Sequence, residues 1–248
     1  MRIYKLLVSL YPNFMANDYF QFKQFTIRQA KCAMKVGTDG TLLGAWARGG
    51  SRILDIGSGT GLVALMMAQR FPHARIMGID IDAEAVAQAR ANVQSSPFND
   101  SGRMDILLSD VCTYTCEQPF DAIVSNPPYY DHSLACPDEQ RTLARHTLSL
   151  SYRDLMAAAW RLLSEEGELS LVIPTECKSK LESEAALAGF FKVRECAVKT
   201  TPRKPVRRYL LAFRKRSCHE VELAEGIIEL SPRVRSPWYV ELTKDFYL

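Results

Sequence analysis

The chain is poor in the residues that hold metals and in the runs that cross membranes. It has four histidines in 248 residues, and they form no ligand constellation. Cysteine is present at seven positions (32, 112, 116, 136, 177, 196 and 218), an odd number at irregular spacing. Cys112 and Cys116 lie nearest each other, with no second pair to complete a zinc site. No metal is therefore expected, and the thiols read as the reduced ones of a cytoplasmic protein. No apolar stretch approaches the ~20 residues of a membrane span. The run Leu6-Leu7-Val8 is too short for a secretion signal, and no small-residue cleavage site follows. Internal repeats, low-complexity stretches and linkers are lacking too.

Acid is missing from one long stretch. Lys199 to Arg216 holds eight of the 31 basic residues (199, 203, 204, 207, 208, 214, 215 and 216) and none of the 28 acidic ones. Net charge is only +3, so the rest of the chain is net acidic. A focused basic strip suggests a polyanion met on one face, through residues such as Arg203, Lys204, Arg207 and Arg208. The plainer reading is an edge strand that its charges protect from aggregation. The strip alone leaves both open.

What is present is the composition of an ordinary globule, with 47% hydrophobic and 24% charged residues. Residues 1–18 read as an extension, with Met15 as a second candidate start. Residues 19–248 read as one domain, a strand-and-helix cap (19–50) on a core sheet and tail (51–248). Partial alternation over 19–29 predicts a strand or hairpin. Thr38 or Asp39 is placed to cap a short helix beginning near Thr41.

Arg52 to Leu62 carries the first motif. Ile53–Ile56 predicts a strand, and Gly57, Gly59 and Gly61 a tight loop into a helix over 62–71. Glycines let the chain turn sharply and let a ligand approach the backbone. The following helix offers unpaired N–H groups. A second strand ends at Asp80, 21 residues after Gly59, the spacing of a carboxylate that binds a ribose diol. The third glycine of the dinucleotide pattern is missing, since Leu62 stands there, so no pyrophosphate cradle is implied. Asp55 is placed to influence a cationic or amino group near the loop. After a helix over 83–95, a third strand ends at Asp110, which either contacts a nucleoside base or makes a turn.

The fourth strand, 121–125, runs into Ser125-Asn126-Pro127-Pro128-Tyr129-Tyr130. The prolines stiffen this loop. The Asn126 side-chain oxygen and the Pro127 carbonyl could then both accept hydrogen bonds from one amino group, with Tyr129 as a flat face for a planar ring. A plain turn is the alternative. Residues 130–150 form a loop with Asp131, His132, Arg141, Arg145 and His146, long enough to be functional or mobile. Beyond it come a helix (151–163), a strand (168–174), a helix closed by Gly189, and a strand pair, 190–198 and 206–213. The tail holds one strand near 227–230 and an irregular or helical end.

The series Asp55, Gly57, Gly59, Gly61, Asp80, Asp110 and Asn126-Pro127-Pro128-Tyr129 resembles the class I S-adenosylmethionine-dependent methyltransferases, within them the amino-methyltransferases. Phe22–Phe25, Cys32–Gly40, Leu42–Ala47, Ser125–Tyr130 and Leu242–Leu248 are similar to the bacterial tRNA1(Val) adenine-37 N6-methyltransferase family. That resemblance implies an α/β fold, a seven-stranded doubly wound Rossmann-like sheet ending in an antiparallel hairpin. It implies S-adenosyl-L-methionine as cofactor and tRNA as partner. Independently of the resemblance, a monomer is expected. The three glycines would hold the cofactor's methionine end. Asp80 with Ile81 would take the ribose, Asp110 and Val111 the adenine, and Lys35, Thr38 and Asp39 would flank the cofactor. Asn126 to Tyr129 would receive the target base. Alternatives are a protein glutamine N5-methyltransferase, a DNA or rRNA amino-methyltransferase, and a non-catalytic RNA-binding subunit.

Overall fold

A computed structural model describes residues 18–30, 35–99, 102–127 and 150–248. The expectations for residues 1–17, Cys32, Pro128, Tyr129 and the loop to residue 149 lie outside them.

The sheet is built from short apolar runs with alternating faces. In β3 (Arg52–Ile56), Ile53 joins one core cluster, while Leu54 and Ile56 join another. In β6 (Phe120–Ser125), Ala122 and Val124 face the first cluster and Ile123 the second. A period of two feeding two apolar layers is what a strand buried on both faces requires. α1 (Thr38–Trp46), α2 (Leu62–Arg70) and α3 (Ala83–Gln94) cover the first face. α4 (Tyr152–Leu162) and α5 (Lys178–Leu187) cover the second.

With β4 (Arg75–Asp80), β5 (Met104–Leu108), β7 (Leu163–Pro174), β8 (Phe191–Lys199), β9 (Val206–Arg214) and β10 (Glu222–Ile227), the sheet runs β10-β8-β9-β7-β6-β3-β4-β5. Strands β3 to β7 are parallel neighbours, and β9 lies antiparallel to both β7 and β8. This is the expected doubly wound sheet with its terminal hairpin, enlarged by one strand. The eighth, β10, pairs parallel to β8 at the edge. Four of its six residues are exposed, so it lacks the apolar signal that marks the inner strands.

The hairpin near residue 20 and the C-terminal tail meet on the first face. The hairpin β1 (Tyr19–Gln21) and β2 (Thr26–Arg28) packs Phe20, Phe22 and Phe25 together, with Tyr247 stacked on Phe22. The Lys23 amide donates to the Phe246 carbonyl at 2.8 Å. The tail's helix, α6 (Pro237–Thr243), begins with Ser236 capping Tyr239 N–H and proline in its first turn. Two of the sequence strings that carry the resemblance, 22–25 and 242–248, thus form one aromatic cluster.

Candidate active site

The parallel strands β3, β4 and β6 end side by side, at the edge where open α/β sheets bind ligands. Beyond β3, Gly57, Gly59 and Gly61 have φ of 72°, 53° and 79°, a region where a side chain would be strained. A Cβ at Gly57 or Gly59 would meet no heavy atom within 4 Å, so these two face open space. One at Gly61 would press on Ala89 of α3 at 3.3 Å. The first two glycines keep the loop open, and the third lets it pack.

Asp80 fixes the loop's shape. Its Oδ2 accepts from Gly59 N–H at 2.8 Å, and its Oδ1 from Asp82 N–H at 3.0 Å. The loop is also held from α3. The buried Asn92 amide donates to the Thr60 carbonyl and the Arg28 carbonyl and accepts from Arg28 N–H, each at 2.9 Å. Asn92 is a positioning residue that the sequence reading missed. A polar residue on the Ala85-Val86-Ala89-Val93 face of a helix was the available signal.

Asp55 is 1% exposed, and its Oδ2 accepts from Ala64 N–H at 3.0 Å. Its Oδ1 is buried without a hydrogen bond among the described residues. Burial pushes the carboxyl up to about 7. The Ala64 N–H opposes that rise, and the nearby Asp80 charge adds to it.

Asp55, Gly57, Ser58, Gly59 and Thr60 share a 320 Å³ cavity with Lys35, the start of α1, Asn126 and Arg208. α1 is capped by Gly37 in an extended conformation with no side-chain hydrogen bond. This corrects the expected capping by Thr38 or Asp39. Both residues already lie in the helix's first turn and line the cavity instead. Asn126 is brought there by Ser125, whose hydroxyl donates to the Ile56 carbonyl at 2.8 Å and ties the end of β6 to the end of β3.

Four expected cofactor residues stand at this edge outside the cavity wall: Asp80, Ile81, Asp110 and Val111. Ser109 N–H donates to the Asp80 carbonyl, which sets the start of the Asp110 segment beside β4. Asp110 makes a turn, its Oδ1 accepting from Cys112 N–H at 2.8 Å, while Val111 is buried against the second core cluster.

The basic strip is not one surface. Lys199 pairs with Glu225, Arg214 with Glu168, Lys215 with Glu165 and Arg216 with Glu166. Arg208 lines the cavity and meets Asp39 at 2.5 Å. Only Arg203, Lys204 and Arg207, at or beside the β8–β9 turn, carry no ion pair among the described residues. Acids distant in sequence had neutralised the rest, which a count along the chain could not show.

The residues present suit S-adenosylmethionine. There is an open glycine loop, a buried carboxylate oxygen lacking a partner for a cationic amino acid end, and a volume within the ~300–1,000 Å³ of small-molecule sites. Among the described residues no group of side chains could hold a metal ion, and no helix is long and apolar enough to cross a membrane.

The sheet order and glycine loop define the class I methyltransferase architecture, and residues 40–203 match the family described as Methyltransferase small domain. A predicted O-methyltransferase from Agrobacterium tumefaciens shares the fold, with a TM-score of 0.65 at 21% identity, over 84% of this chain and 96% of that one. A tRNA1(Val) (adenine(37)-N6)-methyltransferase of Phocaeicola vulgatus is 50% identical over 94% of this chain and 99% of its own length. The protein of that name from Trichodesmium erythraeum is 41% identical over the same shares. The chain belongs to the tRNA1(Val) (adenine(37)-N6)-methyltransferase family.

Proposed function

We propose that the protein methylates the exocyclic N6 of adenine 37 in tRNA1(Val), using S-adenosylmethionine. The observation that carries the reading is Asn126 in the wall of the cavity that the glycine loop and Asp55 also line. The relatives' names supply the nucleotide. The coarser alternatives, a glutamine N5-methyltransferase or a non-catalytic RNA-binding subunit, have no observation in their favour.

Bound S-adenosylmethionine supplies an electrophilic methyl group on a cationic sulfur. The chain's own residues bind and orient. Gly57, Gly59 and Asp55 take the methionine end, with Gly61 shaping the loop. Asp80 takes the ribose hydroxyls beside Ile81, Asp110 and Val111 flank the adenine, and Lys35, Thr38 and Asp39 close the N-terminal side. Asn126 Oδ1 and the Pro127 carbonyl accept the two N6–H bonds of the target. The N6 lone pair is delocalised into the base, so holding both hydrogens favours a pyramidal nitrogen with its lone pair free to react. On the sequence reading, Pro128 would stiffen the loop and Tyr129 would offer the base a stacking face. Positioning and preorganised dipoles then do most of the work. An anticodon-loop base is reached at small unstacking cost. Arg203, Lys204 and Arg207 meet the tRNA backbone. We take the protein to act in the cytoplasm as a single-domain monomer over residues 19–248.

The test is methyl transfer from labelled S-adenosylmethionine to total tRNA of a strain lacking the enzyme, followed by mapping of the nucleoside. N6-methyladenosine at position 37 is expected. Label in protein glutamine, or none in RNA, would sink the reading. Asn126→Ala should lower the single-turnover rate by about 10²–10³ with both ligands still bound. A wild-type rate in that variant would remove Asn126 from the chemistry.

A further inference from the structure

Arg208 stands apart from its basic neighbours. The pairing of β9 with β8 slips by one residue here, with Val198 opposite Arg208 and Lys199 opposite Val206, so Arg207 is an extra residue with no partner on β8. Arg207 is exposed, whereas the Arg208 side chain is 21% exposed and lines the cavity. Its register explains the placement. Arg208 lies opposite Pro174, the last residue of β7, at the same sheet edge as Ser125 and Asn126.

Among the described residues, the charges in the cavity wall are two and two. Asp39 and Asp55 are the acids, Lys35 and Arg208 the cations. S-adenosylmethionine carries a sulfonium and an ammonium, which repel a guanidinium, and one carboxylate, which attracts it. Arg208 Nη1 sits 2.5 Å from Asp39 Oδ1 as an ion pair outside hydrogen-bond angles, and that oxygen makes no hydrogen bond among the described residues. The guanidinium is held in place by the Asp39 charge, while its N–H donors have no hydrogen bond among the described residues. A planar fork of donors in that state matches a carboxylate bidentately, which a lysine ammonium does not.

We propose that Arg208, held by Asp39, binds the α-carboxylate of S-adenosylmethionine and so selects the intact amino acid end of the cofactor. The inference rests on the cofactor reading above and reassigns one residue of the basic strip from RNA to cofactor.

The experiment is calorimetric binding to the full chain of three ligands. These are S-adenosylmethionine, S-adenosylhomocysteine, which keeps the carboxylate but lacks the sulfonium, and decarboxylated S-adenosylmethionine, which lacks the carboxylate. Arg208→Gln should weaken the first two by about 10- to 100-fold, the scale of a lost hydrogen-bonded charged partner. The decarboxylated ligand, which keeps only the repelled cationic groups, should bind the variant at least as tightly as wild type. Arg208→Lys, which keeps the charge and loses the fork, should fall between. Equal losses for all three ligands would overturn the proposal, since general damage to the site does not depend on the carboxylate. Unchanged cofactor affinity with weakened tRNA binding would overturn it in favour of an RNA contact. So would a carboxylate-dependent loss in Lys35→Met but not in Arg208→Gln. Wild-type protein that binds none of the three ligands would overturn the cofactor reading itself.

Discussion

Two carboxylates are buried in the central sheet, and they are treated in opposite ways. Glu168 of β7 is 3% exposed and ringed by cations. Arg194 Nη2 donates to its Oε1 at 2.9 Å, Arg214 donates to its Oε2 at 2.9 and 3.2 Å, and Arg48 lies 3.7 Å away. Arg194 also lies over the Trp46 ring at 3.9 Å, where burial lowers its pKa against the pull of Glu168. Asp55 of β3 is equally buried, but among the described residues its one partner is a backbone N–H, and its second oxygen has none. Along β6 their neighbours are Ala122 and Val124, so the two sites lie only two residues apart in register. One carboxylate is neutralised within the protein and joins three strands and the segment after α1. The other is left short of a positive partner, at the edge where a cationic ligand can supply it. A buried charge is costly unless paired, so the unpaired one marks the site.

The largest effect should come from breaking the paired site. Glu168→Gln leaves Arg194 and Arg214 facing each other without a counter-charge. It should cost about 3–5 kcal/mol of stability, the range for removing one partner of a buried ion pair. Urea denaturation measures it, with cofactor affinity expected to stay at the wild-type level. A loss below about 1 kcal/mol would show that water already screens the network.

Asp55→Asn should do the reverse. The folded protein holds the Asp55 proton up to about pH 7, against an ordinary value of 3.8. A raised carboxyl pKa means that folding binds the proton more tightly. Asp55's favourable contribution is thus complete below about pH 4 and is lost as pH rises through about 7. The asparagine, which never ionises, should gain stability relative to wild type across that window and be at least as stable at pH 8. Its affinity for S-adenosylmethionine should fall by about 1–3 kcal/mol, the value of a charged hydrogen-bond partner. Denaturation at pH 5 and pH 8, beside calorimetry, tests both halves. A variant less stable at pH 8 with unchanged affinity would make Asp55 a structural residue like Glu168.

Only one of these two carboxylates could be singled out from the sequence. Asp55 belongs to a local pattern, strand then Gly57, Gly59 and Gly61, and local patterns survive without coordinates. Asn126 was legible for the same reason, because a strand followed by two prolines states where the chain leaves the sheet. Glu168 was read simply as the start of a strand, since its partners Arg48, Arg194 and Arg214 come from three other segments. The Asp39–Arg208 contact was equally hidden. It joins residues 169 positions apart through the register of β9 on β7. The eighth strand escaped because an exposed edge strand carries little apolar alternation.

The same distinction divides the basic residues, and the smallest effect tests it there. Arg214 and Lys215 are bound to acids of β7, and their charges are already spent within the fold. Arg203, Lys204 and Arg207 have no such partners among the described residues and are exposed. Replacing those three by alanine should leave stability within about 0.5 kcal/mol, as for exposed residues without specific contacts. The plot of log affinity for tRNA against log salt should become shallower by about two to three, because three phosphates no longer exchange condensed cations. Arg214→Ala and Lys215→Ala together remove two charges of the same sign from the same strip. They should lower stability and hardly move the salt slope. If both sets flattened the slope in proportion to the charges removed, the paired arginine and lysine would still be felt by RNA. The long-range field of the strip, rather than its unpaired turn, would then be what tRNA meets.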